Sequence, residues 1–357
     1  MSRSQRRSLL LLVVVALALA GCAGGSATVA SSWPGVAVDE TTAYVAYNQA
    51  VHAVDLATGT ERWRFPAQAD GKVVFYARPA VGADGKIYVT SYNHKAFALD
   101  AATGQQAWVF EQSRDRLIGG AAIDGDVVLI PSGDNSLYAV ERSTGQLRWA
   151  FKATSALWSS PVVQGERLYQ AALGHVLYAV DAQSGEAIWQ TNLGGALADT
   201  PALLDGLVLA GSFGSGLTAL HAADGSVAWN YPTVGWVWGN PVAGDGLAYF
   251  GDLKNTAYAL HIEDGSQAWK IALDGPITST PAIVGDRVVF VTEAGTIYML
   301  RAADGGVVWK VTLEAKLYSD PVLAGDVLLI AATGGDTLVY AMNPDSGAIR
   351  WQFVPAK

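Results

Sequence analysis

Eight times along this 357-residue chain a glycine is followed four residues later by a tryptophan. The pairs are Gly59/Trp63, Gly104/Trp108, Gly145/Trp149, Gly185/Trp189, Gly225/Trp229, Gly265/Trp269, Gly305/Trp309 and Gly347/Trp351. Successive tryptophans are separated by 45, 41, 40, 40, 40, 40 and 42 residues, a regularity that marks a repeat protein and narrows the architecture to those built from units of about 40 residues.

One period shows what the unit is. Within residues 158–191, apolar or β-rich stretches at 161–163, 168–172, 176–180 and 187–191 are separated by glycine-containing turns. Four short strands fill the period, and no helical periodicity competes with them. A sheet of four such strands cannot bury both faces alone, whereas copies stacked radially bury face against face in a closed ring. The 321 residues from Trp33 to Phe353 match eight units of 40. The expected fold is all-β, an eight-bladed β-propeller of four-stranded antiparallel blades occupying residues 33–357. The chain starts on an innermost strand near Trp33-Pro34 and ends on an outermost one. The first and eighth blades are therefore expected to meet by side-chain packing, without exchange of a strand.

The repeated residues read as structural. Each glycine belongs in the tight turn before the outer strand, where a positive φ is expected. Four residues earlier stand Asp55, Asp100, Glu141 and Asp181, then His221, His261, Arg301 and Asn343. An acid or Asn there can accept the turn's backbone donors, and its loss in later repeats reads as drift at an exposed position. Trp63, Trp108, Trp149, Trp189, Trp229, Trp269, Trp309 and Trp351 are expected to dock blade on blade, each indole N–H finding an acceptor.

Ahead of the repeats, Arg3, Arg6 and Arg7 precede an apolar run at 9–20, the pattern of a signal peptide. It ends in Leu19-Ala20-Gly21-Cys22, which resembles a bacterial lipobox. That resemblance implies removal of residues 1–21 and lipidation of Cys22, with 22–32 as a flexible tether of small residues. Arg6-Arg7-Ser8-Leu9-Leu10 also resembles the core of a twin-arginine export signal, although two adjacent arginines are common in ordinary signal peptides and ordinary secretion is the expected route. Cys22 is the only cysteine, so the chain has no internal disulfide. Three of the 23 basic residues and none of the 32 acids lie in 1–21, so cleavage moves the formal charge from −9 to −12. Such a body has no electrostatic reason to bind nucleic acid. The expected location is outside the cytoplasm, held at a membrane surface by lipid, the outer membrane where the host has one.

The string Ala-[Leu/Val]-Asp-x-x-[Thr/Ser]-Gly-x-x-x-Trp, as at 98–108 and 179–189, resembles the repeat of the pyrroloquinoline quinone (PQQ) propellers. The resemblance spans residues 33–354. It implies the propeller fold but divides on function, since the family includes quinoprotein alcohol and glucose dehydrogenases and also BamB-like lipoproteins without a cofactor. In the large dehydrogenases the resemblance implies a tryptophan floor, a disulfide of adjacent cysteines, and a calcium held by Glu, Asn and Asp. This chain lacks those cysteines and the long insertions. Asp199 and Asp320, just before inner-strand prolines, and Asp252, Glu293 and Asp336 in turns of the same face read as solvated loop carboxylates. No catalytic, cofactor or metal residue is assigned, and no cofactor is expected.

Asp84-Gly85 and Asp124-Gly125-Asp126 read as hairpin turns and not calcium loops. His221 and His261 recur in adjacent blades about 10 Å apart, too far to share a metal. What remains informative departs from the repeat. Of twelve tryptophans, Trp33, Trp158, Trp236 and Trp238 lie outside the blade set. Trp158, Trp236 and Trp238, with Tyr76, Arg114, Arg116, Lys316 and Tyr318, map to the loops leading into inner strands. Asn93, His94 and Lys254 map to neighbouring turns. Aromatic and arginine residues on one rim have the composition of a binding hot spot, although Trp158 and Trp238 share an offset with Tyr76 and Tyr318 that also suits a structural cap. The lead-in loop at 67–76 is about four residues longer than its counterparts. The expected function is a lipid-anchored, non-catalytic scaffold at the cell envelope that holds another protein or an extended peptide, in BamB-like fashion. The alternative is a PQQ-dependent oxidoreductase of alcohols or sugars, with calcium and with Trp236 or Trp238 as the quinone's floor.

Overall fold

The computed structural model describes residues 33–68, 70–214 and 216–356. The signal peptide, Cys22 and the tether lie outside the described residues. Among the described residues there is no helix, so none that could cross a membrane. The strands form eight four-stranded antiparallel sheets, each made of four consecutive strands. The blades span 35–65, 80–110, 122–152, 162–192, 202–231, 242–272, 282–312 and 322–353. In blade 4 the strands are Val162–Gln164, Arg167–Ala171, Val176–Asp181 and Ala187–Asn192, within a residue or so of the sequence expectation.

Burial explains the strand compositions. The second strands Val127–Pro131 and Val327–Ala331 are buried at every position, because neighbouring blades cover both faces. Such strands read as continuous apolar runs, as they do wherever both faces of a sheet are covered. The outer strand Val307–Thr312 alternates between exposed and half-buried positions, which is why lysine and threonine fit there. The eight hydrophobic clusters each draw on two adjacent blades, and one of them joins Val36, Val45 and Val54 of blade 1 to Leu329, Val339 and Phe353 of blade 8. The ring closes by side-chain packing, with no strand exchanged.

The motif residues do more than the sequence suggested. The repeated glycines all have φ between +71° and +74°. A Cβ on Gly104 would lie 2.5 Å from the Trp63 ring, and one on Gly59 would lie 2.6 Å from the Trp351 ring. Each glycine is thus both a turn and the seat for the indole of the preceding blade. Seven of the eight indoles donate Nε1–H to a carbonyl of the next blade, from Trp63 to Ala101 at 3.0 Å round to Trp351 and Leu56 at 2.9 Å. Opposite each tryptophan in its own sheet stands an alanine, or Met299 in blade 7, leaving the ring free to lie flat toward its neighbour.

The reading of His221, His261 and Arg301 as drift needs correction. Where Asp55 is present, its Oδ1 accepts the N–H groups of Ala57 and Thr58. In blades 5, 6 and 7 the acid has moved three residues along. Asp224, Asp264 and Asp304 accept the N–H of Ser226, Ser266 and Gly306 at 2.8–2.9 Å. One turn acceptor has been exchanged for another.

Candidate functional site

The loops leading into the inner strands converge on the ring axis. Strand register places Trp33, Tyr76, Ile118, Trp158, Ala198, Trp238, Thr278 and Tyr318 at one equivalent position in successive blades. All eight line a central cavity of about 590 Å³. Five are aromatic, so the mouth is an aromatic collar. The shared offset of the spare tryptophans was visible in the sequence, whereas their convergence depends on closing the ring.

Trp33 crosses this mouth. Its ring meets Trp238, three blades away, edge-on at 5.7 Å, and Tyr318 at 6.2 Å. Trp238 in turn lies 5.0 Å from Phe213, which stacks on Trp236 at 5.2 Å with 10° between the planes. One aromatic chain therefore runs from the channel outward to the rim. At its outer end Trp236 is 50 % exposed and Val234 beside it 83 %, a combination that makes an apolar prong. Sequence reasoning missed Phe213 and Val234, which have no distinguishing offset. Trp158 sits in the collar without an aromatic neighbour.

The remaining rim residues fall elsewhere. Tyr76 packs on Tyr92 at 5.4 Å, and the Arg116 guanidinium lies 4.6 Å from the Tyr92 ring centre, a separate cation–π group. The backbone N–H of Arg114 is fixed by Asp134 at 2.8 Å, leaving its side chain exposed. Lys316 is exposed, and its backbone pairs with Thr333 at 2.9 Å. Similar bridges join Phe75 to Asn48 and Ser91, so lead-in loops and second-to-third-strand turns share one face. Phe75 is fully buried and pins the base of the longer 67–76 loop.

Two residues further in, the equivalent positions hold Gly35, Arg78, Gly120, Ser160, Thr200, Asn240, Thr280 and Asp320. Neighbouring blades stitch this ring together. The N–H of Ser160 donates to Thr200 Oγ1 at 3.1 Å, and that of Thr280 to Asp320 Oδ1 at 2.7 Å. Asp199 stands one position earlier, where every other blade has proline, alanine, glycine or serine. It accepts from the Thr200 N–H at 2.7 Å and from Asn240.

Asp199 and Asp320, expected as solvated loop acids, are instead half-buried and face the central cavity. Burial, and then the charge of Asp320, push the Asp199 carboxyl well above the usual carboxylate range. Burial also raises Asp320, while the Thr280 N–H and the Arg78 charge pull it back. Around them the Oδ1 of Asn240 and the Oγ1 of Thr278 and Thr280 are buried without a partner. Asp252 is likewise not solvated. Fully buried, it accepts from the N–H groups of Gly235, Lys254 and Thr256 and from Tyr258 Oη, which makes it the anchor of the Trp236 loop. Glu293 is half-buried and Asp336 exposed. His221 and His261 are exposed turn residues. Among the described residues no cluster of three or more His, Cys, Asp or Glu could hold a metal.

A flat quinone needs a parallel aromatic floor and cationic partners for its carboxylates. Trp238 meets its nearest channel aromatic, Trp33, at 90°, and Trp236 stacks on Phe213 away from the cavity lining. Among the described residues, two acids face the space and Arg78 is the one basic residue lining it. The channel as folded presents neither a parallel aromatic pair nor more than one basic side chain among the described residues that line it.

The family model described as "Outer membrane protein assembly factor BamB" matches residues 14–150, 113–235, 173–283 and 277–357. Among solved structures, BamB from Moraxella catarrhalis is similar over 83 % of this chain and 90 % of its own, at 15 % identity and a TM-score of 0.71. The computationally designed Ika8 protein matches over 88 % and 96 % at 14 % identity and 0.76. A europium-containing methanol dehydrogenase matches over 84 % and 81 % at 15 % identity and 0.72. At such identities these structures share the fold alone. No curated protein matches the chain.

Proposed function

The chain belongs to the family described as outer membrane protein assembly factor BamB, and on that premise we propose that it is a non-catalytic scaffold of the cell envelope. In this reading Cys22 carries lipid, the mature chain is held at a membrane surface, and the rim binds another envelope protein or an extended peptide. The observation that carries the reading is the prong of Val234 and Trp236, 83 % and 50 % exposed at the end of a packed aromatic chain. A large apolar side chain held rigid at a rim loses little entropy on binding, and such residues dominate interface energetics. The acidic anchor Asp252 beneath the loop supplies that rigidity.

The test is site-specific photocrosslinking of the full chain in its host, with the crosslinker at Val234 or, as control, at Val227 on an outer strand, 53 % exposed. A discrete adduct from 234 that Trp236→Ala weakens, and none from 227, is the expected result. Equal adducts at both positions, or none at either, would defeat the proposal. Cys22→Ser should move the chain from the membrane to the soluble fraction. The alternative, PQQ with calcium in the channel, predicts a shifted quinone spectrum and dye reduction with alcohols or sugars. Saturable binding with turnover would replace the scaffold reading.

A further inference from the structure

The central channel lies apart from the prong of Val234 and Trp236, neither of which lines it. Its mouth is a collar of five aromatic residues, and beneath the collar two carboxylates, Asp199 and Asp320, face the same space. On the blade after that of Asp199, the Oδ1 of Asn240 is buried and has no partner. A buried acceptor with no donor is uncommon and calls for an explanation. Two carboxylates and an unpartnered amide oxygen thus lie on the arc of blades 5 to 8. The volume of about 590 Å³ lies within the range of small-molecule sites.

We propose that this channel binds a primary ammonium group, with its alkyl stem in the aromatic collar. An ammonium has three N–H donors, which Asp199, Asp320 and Asn240 Oδ1 can accept, and its charge relieves the opposition of two half-buried acids that face one space. Tryptophan and tyrosine faces attract a cation passing through the mouth. The net charge of −9 favours its arrival. Arg78, which lies beside Gly35 and whose charge also acts on Asp320, opposes a second positive charge and so limits the ligand to one ammonium at the floor. The ammonium comes either from a free alkylamine or from a lysine side chain of a bound peptide.

The experiment is calorimetry on the purified full chain in detergent with n-butylamine, n-butanol, Nα-acetyl-lysine methylamide and calcium chloride as probes. Saturable binding of n-butylamine and none of n-butanol is expected. Tighter binding of the lysine amide assigns the site to a peptide, tighter n-butylamine to a free amine, and either supports the proposal. Asp199→Asn should weaken binding about tenfold or more, the worth of a charge-assisted hydrogen bond, and Asp320→Asn should act in the same direction. Asp199→Asn removes the ionisable group without changing shape, and its thermal melt verifies folding. Arg78→Gln should tighten binding. The proposal is overturned by absent saturation, by equal affinity for n-butanol, by affinity unchanged in a folded Asp199→Asn protein, by weaker binding in Arg78→Gln, or by calcium binding in place of the amine.

Discussion

Replacing Trp351 by alanine tests how the ring is closed. The blade 8 to blade 1 seam is the one that no polypeptide link crosses, and Trp351 reaches over it to donate to the Leu56 carbonyl at 2.9 Å. Its ring also covers Gly59, whose hypothetical Cβ would lie 2.6 Å away. Removing a buried tryptophan costs about 3–5 kcal/mol, and because Trp351 keeps part of its edge in solvent the lower figure, about 3 kcal/mol, applies. About 1 kcal/mol of that is the hydrogen bond. Trp269→Ala, at a seam the chain does cross, removes an equivalent bond to Ala302 at 2.8 Å and should cost the same within about 1 kcal/mol by urea denaturation. Hydrogen exchange separates the two. Only Trp351→Ala should speed exchange in the inner strand Gly35–Val38 and the outer strand Ile349–Phe353, because only there can the blades part without stretching a covalent connection. A loss below about 1 kcal/mol, or exchange that rises equally at every seam, would refute the argument that this lock closes the ring.

Three further outcomes are expected. Gly265→Ala should cost more than Gly85→Ala. Both glycines have a φ above +70°, but a Cβ at 265 would meet the Trp229 ring at 2.6 Å and one at 85 would meet nothing within 4 Å. The difference in urea midpoint isolates the indole seat from backbone strain of about 1–2 kcal/mol. Asp199→Asn should stabilise the protein increasingly as pH rises. The native carboxyl titrates above its unfolded value of about 4, so between the two the native state holds more protons and wild-type stability falls with rising pH. The melting-temperature gap between the two proteins should close below about pH 4, and a gap that does not vary with pH contradicts a buried, coupled acid. Asp264→Ala should lower the melting temperature while His261→Ala leaves it unchanged, because Asp264 now holds the turn; equal effects would restore the reading of drift.

The architecture was legible because each blade repeats the same local instruction. Turn glycines, short β-rich runs and a docking tryptophan agree at every period, and eight copies leave little freedom. The collar was partly legible, since Trp158, Trp238, Tyr76 and Tyr318 share an offset before the inner strand. Trp33 was harder to place because its contact with Trp238 joins residues 205 positions apart across the axis. The carboxylates were misjudged because position along a strand does not reveal depth. Asp199 and Asp336 were both read as loop acids of one face, yet one faces the cavity beneath the collar and the other is exposed. Depth arises only when eight loops converge, and with it come desolvation and the mutual repulsion of two acids. The exchange of Asp55-type for Asp224-type acceptors was hidden for a different reason, because either residue solves the same turn.

The seat that each glycine provides belongs to its neighbour's tryptophan, so one Gly-x-x-x-Trp motif faces both ways round the ring. The pairing of Gly59 with Trp351 uses the same geometry as that of Gly104 with Trp63. Where the chain begins and ends is therefore a matter of connectivity and not of mechanics. A circular permutant that joins residue 353 to residue 33 through a short linker and opens any loop between blades would ask the molecule to make no contact it does not already make.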